Sequence, residues 1–297
     1  MQIMGSRMTA RLGTFDRSAG SFNRERFPIG RREEVLDSPE NPHLANDAPV
    51  VCCVIPCYNV GSVCGKIVRE TAAQARDVIV VNDGSSDDTE RELRQAADEC
   101  NGRVHVLSST VNHGKGTALL KAFRYALQHL AFDVLVTLDG DGQHKPADIS
   151  RLTEKLITEQ ASLVMGERLD RGEMPWRSRI GNNLMMALLR CLYATAPRDT
   201  QSGMRALNRD FVDQITHLIE GRRYETELQI LLLALEQRRC IRTVTIPTLY
   251  FEENRLSHFR PVRDSFRIFG LLVRWLLIHK WRGKMQAERK TPQLATH

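Results

Sequence analysis

Three features of this 297-residue chain predict an α/β fold, a mostly parallel sheet with helices on both faces. Short apolar runs alternate with longer helical patterns between residues 50 and 246. The runs are apolar at successive positions rather than every second one, as in 50–55 and 134–138, which marks strands buried on both faces. The notable polar clusters of the first half follow directly on strands. They therefore share one sheet edge, where open α/β sheets bind their ligands.

The elements follow in order. Residues 1–48, rich in Arg, Glu, Asn, Pro and Ser without a sustained period, read as a flexible arm. A strand over 50–55 ends at Pro56, and a helical pattern covers 61–73. A second strand over 77–81 is ended by Asn82-Asp83-Gly84-Ser85-Ser86-Asp87, where Asp87 or Asp88 caps a helix running to residue 100. A third strand covers 104–107. Asn112-His113-Gly114-Lys115-Gly116 then turns into a helix ending near residue 130. The strand at 134–138 runs into Asp139-Gly140-Asp141-Gly142-Gln143-His144, and Pro146 starts the next helix. The second half is less regular. A strand at 163–165 enters Gly166-Glu167-Arg168, and a long helix is expected over 178–193. A polar turn at 199–205 feeds a short strand. Helices at 209–219 and 225–237, a strand at 241–246 and a final helix at 262–280 complete the pattern. The division expected is 1–48 arm, 49–260 catalytic domain, and 261–297 amphipathic helix and polar tail.

Composition narrows the function. Apolar content of 42% and charged content of 26% are those of a globular protein. A net charge of +6 and a pI near 9.0 favour anionic partners. Seven cysteines without metal-ligand spacing read as reduced, buried residues of a cytoplasmic protein. No secretory signal and no bilayer-spanning run are visible. No nucleic-acid partner is expected.

Two acidic Gly turns carry the chemistry. Asp139 and Asp141, two residues apart at a strand end, suit a hard divalent cation, and Gln143 can add an amide oxygen. Asp83-Gly84 closes a neighbouring strand in the same way. Either turn alone reads equally as a helix-initiating loop. Together on one edge they favour a nucleotide-plus-metal site, with Gly84 and Gly140 allowing close backbone approach. Tyr58 offers a ring face to a base and Asn59 a two-sided hydrogen bonder. Other templates fail. No G-x-G-x-x-G occurs, Gly114-Lys115-Gly116 lacks the other P-loop residues, and His144 stands where a calcium loop needs glycine. Arg168, Arg177, Arg179, Arg205 and Arg255 each sit in or near a turn, and such planar forks suit phosphate oxygens.

Taken in order, Pro56-x-Tyr58-Asn59, Asn82-Asp83-Gly84-Ser85, Asn112-x-Gly114-Lys115-Gly116, Asp139-Gly140-Asp141-Gly142-Gln143-His144, Gly166-x-Arg168 and Asp199-x-Gln201-Ser202-Gly203-x-Arg205 resemble glycosyltransferase family 2. Within it they resemble the polyprenyl-phosphate branch, typified by dolichol-phosphate mannose synthase. The resemblance runs from about residue 50 to 267 and implies the Rossmann-like GT-A fold. It implies that Pro56, Tyr58, Asn59 and Asp83, with Gly84, Lys115 and Gly140, hold the nucleotide. Asp139, Asp141 and Gln143 would hold Mg²⁺ or Mn²⁺ on the diphosphate. Arg168, Arg179 and Arg205 would line the phosphate and acceptor end. The implied reaction moves a sugar from a GDP- or UDP-sugar to a polyprenyl phosphate, with inversion.

One segment departs from that pattern. After the last strand such synthases commonly carry Arg, Gly and then Ser-Lys, whereas this chain has Asn254-Arg255-Leu256-Ser257-His258-Phe259-Arg260. His258 stands in the place of the lysine. Arg255 and His258 are expected to close over the donor diphosphate and meet the acceptor phosphate. A hydroxyl acceptor would need a general base, and the Glu-Asp pair ahead of Arg-Trp that family 2 enzymes with such acceptors often carry is not found. The nearest acidic cluster, Tyr224-Glu225-Thr226-Glu227, reads as a helix start, in keeping with a phosphate acceptor that is already ionised. In the final helix Phe266, Phe269, Leu272, Trp275, Leu276 and His279 form a stripe flanked by Arg263, Arg267, Arg274, Lys280 and Arg282. That stripe fits either an anionic membrane surface at the cytoplasmic face or the protein's own core. A family 2 transferase acting on a hydroxyl acceptor, and a non-catalytic nucleotide-sugar-binding protein, remain the alternatives.

Overall fold

A computed structural model of the chain describes residues 48–168, 187, 189–190, 193, 196–197, 199–200, 202–221, 225–247 and 270, all within the unit Asn46–His297. Residues 1–47 of the expected 1–48 arm, most of the 178–193 helix, Arg177, Arg179, Gln201, Arg255, His258 and the final helix apart from Gly270 lie outside the described residues.

The elements are β1 (Val51–Cys57), α1 (Val63–Ala72), β2 (Asp77–Asp83), α2 (Thr89–Glu99), β3 (Val104–Ser109), α3 (Lys115–His129) and β4 (Val134–Thr137). They continue with a 3-10 turn (Pro146–Asp148), α4 (Ile149–Thr158), β5 (Leu163–Arg168), β6 (Arg205–Asn208), α5 (Arg209–Leu218), α6 (Glu225–Glu236) and β7 (Ile241–Ile246). The seven strands form one sheet in the order β3-β2-β1-β4-β6-β5-β7. All neighbours are parallel except β6, which is antiparallel to both β4 and β5.

The continuous apolar runs are explained by two cores, one on each face. Cys52, Val54, Ile79, Val81 and Leu135 point to the face covered by α3, α5 and α6. Their neighbours Cys53, Ile55, Val78, Val80, Val134 and Val136 point to the face covered by α1, α2 and α4. Successive side chains of a strand alternate in direction, so both sets are fully buried. Each such Val, Leu or Ile contributes about 1.5–3 kcal/mol by leaving water.

Several boundaries differ from expectation, three of them next to the polar turns. Pro56 does not end β1, since it stays in register opposite Val81. Val54 faces β4, accepting the N–H of Leu138 at 3.0 Å, so Pro56, two residues on, faces the same side. The β1–β4 pairing stops at Val54, and the N–H that proline lacks is not needed there. Asn82 and Asp83 likewise stay in β2, paired with Ser108 and Ser109. Pro146 opens a 3-10 turn that leads into α4 at Ile149.

Helix starts follow local chemistry. The Asn208 side chain accepts the Phe211 N–H at 2.9 Å and starts α5. Between Asp87 and Asp88, it is Asp87 that accepts a backbone donor, the Thr89 N–H at 3.1 Å, at the head of α2.

Candidate active site

The topology puts the site together. β1 lies between β2 and β4, and the chain reverses its direction of growth there, which in open α/β sheets marks the ligand crevice at the carboxyl edge. Cys57, Asp83 and Thr137 close β1, β2 and β4 at that edge. Because β6 runs the other way, its first residue, Arg205, stands opposite Thr137 there too. Asp83 and Asp139 thus leave the sheet on one edge, as expected.

Three loops are tied together on the β1–β2 side. Asn59 Oδ1 accepts the Ser86 N–H at 2.8 Å, and the Asn59 N–H donates to Ser85 Oγ at 2.9 Å. Asp83 accepts the N–H groups of His113 and Gly114 at 3.0 and 2.7 Å. Asp83 is 4% exposed and so fixes the loop that starts α3. Gly84 has φ of +73°, and a Cβ there would lie 2.6 Å from the Val111 carbonyl carbon. Tyr58 is half-buried beside these loops.

The Asp139–Asp141 turn packs on the end of β1. A Cβ on Gly140 would lie 2.8 Å from Cys57 Sγ and 3.0 Å from the Pro56 carbonyl oxygen. Asp139 Oδ1 faces Lys115 Nζ at 2.5 Å, and Oδ2 faces His144 Nε2 at 3.4 Å. Lys115 also reaches Glu227 Oε1 at 2.9 Å. Burial acts to raise the Asp139 pKa, but Lys115 and His144 outweigh it and hold the carboxyl well below the usual range. Burial opposes charge on Lys115, and Asp139 and Glu227 together overcome it, raising the ammonium's pKa. Asp141 is pushed the other way, upward, by burial and by the neighbouring Asp139 charge. Asp141 Oδ1 accepts the Gln143 N–H at 3.1 Å. Among the described residues no group of three His, Cys, Asp or Glu side chains is arranged to hold a metal ion by itself.

The arginines have different tasks from those their turn positions suggest. Arg168 donates from Nε and Nη2 to the two Asp199 oxygens at 2.7 and 3.1 Å, tying the end of β5 to the 199–205 turn. Arg205 is 2% exposed and donates to three backbone carbonyls: Ser202 at 2.9 Å, Glu227 at 2.6 Å and Thr200 at 3.1 Å. It braces the site from behind and is not presented to a phosphate.

The sequence profile of glycosyl transferase family 2 matches residues 52–217, more than half the chain, and that span contains every loop just described; Glu227, in α6, lies beyond it. The chain belongs to glycosyl transferase family 2. A UDP-N-acetylglucosamine–dolichyl-phosphate N-acetylglucosaminyltransferase of Methanococcus voltae is 28% identical over 239 residues, covering 74% of this chain and 93% of that one. A polyprenol monophosphomannose synthase of Mycolicibacterium smegmatis is 30% identical over 192 residues, covering 63% and 71%. In structure, the chain is similar to glucosyl-3-phosphoglycerate synthase of Mycobacterium tuberculosis, crystallised with Mn²⁺, UDP and glucosyl-3-phosphoglycerate. That match has a TM-score of 0.56, 21% identity, and covers 76% of this chain and 79% of that one. The fold is GT-A, and the chain is a glycosyltransferase of the polyprenyl-phosphate branch of family 2.

Within this family 2 site, four residues were given no role of their own from sequence. Glu227 is a buried carboxylate in a helix whose other buried positions are apolar or threonine, and that contrast was its signal. His144 directly follows the acidic turn. Asp199 was read as part of a polar turn. Gly203 matters because a Cβ there would collide with both Asp139 oxygens.

Proposed function

We propose that this family 2 transferase moves a sugar from a nucleotide-sugar to a polyprenyl phosphate, with inversion and with the help of a divalent cation. The observation that carries the donor half is the pairing of Asp139, held ionised, with Asp141 at the switch-point edge. Asp141 is pushed up by burial and by Asp139, a strain that a nearby cation would relieve. Asp139 has both oxygens engaged, so the donor set fits Mg²⁺ or Mn²⁺ only with phosphate oxygens completing the shell, which is how Mg²⁺ is commonly bound. Asp141 and Asp139 would hold it. When bound, such an ion supplies Lewis-acid stabilisation of the charge on the departing nucleoside diphosphate.

The chain's own residues do the rest. The loops that Asn59, Asp83 and Gly84 knit together form the nucleoside end, with Pro56 and Tyr58 beside them. Lys115 adds positive charge between Asp139 and Glu227. The Arg168–Asp199 pair orients the turn at the acceptor end.

The acceptor half is supported by the relatives, which are named for dolichyl-phosphate and polyprenol chemistry across most of their length. It is also supported by Glu227, whose carboxylate serves as the counter-ion of Lys115 and is not offered to a hydroxyl. A phosphate acceptor arrives ionised and needs no base. Among the described residues no helix is long and apolar enough to cross a membrane. The lipid acceptor places the reaction at a membrane surface, and the basic, striped segment at 262–280 is the part proposed to meet it.

The test is incubation with UDP- and GDP-sugars and a short-chain polyprenyl phosphate, with products weighed by mass spectrometry. A sugar-phosphate-lipid supports the reading. Transfer only to hydroxyl acceptors would replace it.

A further inference from the structure

Glu227 comes from beyond the residues that match the family profile, yet it shares Lys115 with Asp139. We propose that Glu227 is a positioning residue that receives the Lys115 ammonium when a divalent cation takes Asp139, and so sets the cation affinity of the Asp139–Asp141 pair. This rests on the metal-dependent reading above.

The geometry supplies the argument. Lys115 Nζ lies 2.5 Å from Asp139 Oδ1 and 2.9 Å from Glu227 Oε1, and its side chain is 18% exposed. Asp139 Oδ2 faces His144 Nε2, so Asp139 has no oxygen clear of a nitrogen partner. A dication at Asp139 would repel the ammonium held on the same carboxylate and drive it towards its other partner. An ammonium displaced into a buried site without a partner would be costly. Glu227 removes that cost, since Lys115 already touches it and needs only a small side-chain rotation.

Glu227 is also held in place. Arg205 Nη1 grips its backbone oxygen at 2.6 Å, and the residue is 6% exposed in the first turn of α6. Its backbone is fixed in a packed site, whereas Lys115 is on a long side chain that already reaches both carboxylates, so the shift falls to the lysine.

The experiment measures Mn²⁺ binding to the full chain with UDP or GDP present, from the free-Mn²⁺ paramagnetic resonance signal, with no turnover involved. Glu227→Gln is expected to weaken Mn²⁺ binding on the order of tenfold. Lys115→Met, which removes the competitor, is expected to tighten it. In the Lys115→Met background the Gln substitution should change affinity less than about twofold, since its partner is gone. Glu227→Asp retains the charge but shortens the arm, and should weaken Mn²⁺ by roughly threefold. This last variant keeps the test open if Lys115→Met does not fold. Native affinity in Glu227→Gln or in Glu227→Asp overturns the exchange, as does an equal Gln effect in both lysine backgrounds. Failure of the native chain to bind Mn²⁺ at all overturns the metal reading, and the exchange with it.

Discussion

Arg205 Nη1 donates to the backbone oxygen of Glu227 at 2.6 Å, joining the first residue of β6 to the first turn of α6. Two further bonds from the same guanidinium hold Thr200 and Ser202, so one buried cation fixes both the 199–205 turn and the α6 terminus. Lysine has no planar fork and cannot serve three carbonyls in three directions. Arg205→Lys is therefore expected to lower stability by about 2–4 kcal/mol, read as a fall in the urea midpoint. An unchanged midpoint would show that the three carbonyls find other donors.

Gly203→Ala tests the opposite kind of change, a methyl group where the Asp139 carboxylate lies. The carboxylate would have to leave the position in which it meets Lys115 and His144. Misplacement of about 1 Å in a reacting site costs on the order of 10²-fold in kcat/KM. We expect that loss with a far-ultraviolet spectrum like the native one. Native kinetics would mean that Asp139 does not need the position seen here.

Asp83→Ala should loosen the loop that presents Lys115. The carboxylate accepts two backbone donors at 2.7 and 3.0 Å, and its removal leaves the His113 and Gly114 N–H groups without those partners. A cost of about 1–3 kcal/mol follows. Calorimetry with a nucleoside diphosphate should show weaker binding, and equal affinity would separate this loop from the donor.

Thiol reactivity gives a check that needs no substrate. Burial pushes the Cys52 thiol up to about 12 and Cys64 to about 11, and raises Cys53 and Cys57 well above the ordinary value. The thiolate is the reactive form, so at pH 8 these four should resist alkylation in the folded protein. The half-buried Cys240 should be modified before them. Peptide mapping that finds any of the four modified as fast as Cys240 would contradict the packing of β1 and α1.

Much of this fold was legible because its strands are buried on both faces. Val51–Cys57 and Val134–Thr137 could not sit in water, and the polar turns after them had to share an edge. The antiparallel course of β6 was not legible, because Arg205–Asn208 is four residues long and carries no signal of direction. The tasks of the arginines were hidden for another reason. An arginine beside a turn looks like a phosphate ligand, and only the folded chain brings the Glu227 carbonyl to Arg205 and the Asp199 carboxylate to Arg168. Lys115 was legible only as part of a Gly-Lys-Gly turn after a strand, and its double attachment to Asp139 and Glu227 depends on packing between α3 and α6.

The central claim is that the Asp139–Asp141 edge drives cation-dependent sugar transfer to a lipid phosphate. Its most direct measurement is mass detection of the glycosylated polyprenyl phosphate from native protein and from Asp141→Ala, each with Mg²⁺ or Mn²⁺ and each with EDTA. Native protein with the cation is expected to give product, with a loss of at least about 10²-fold in EDTA and a similar loss in Asp141→Ala under either condition. Full product from native protein in EDTA, or from Asp141→Ala with the cation, would contradict it.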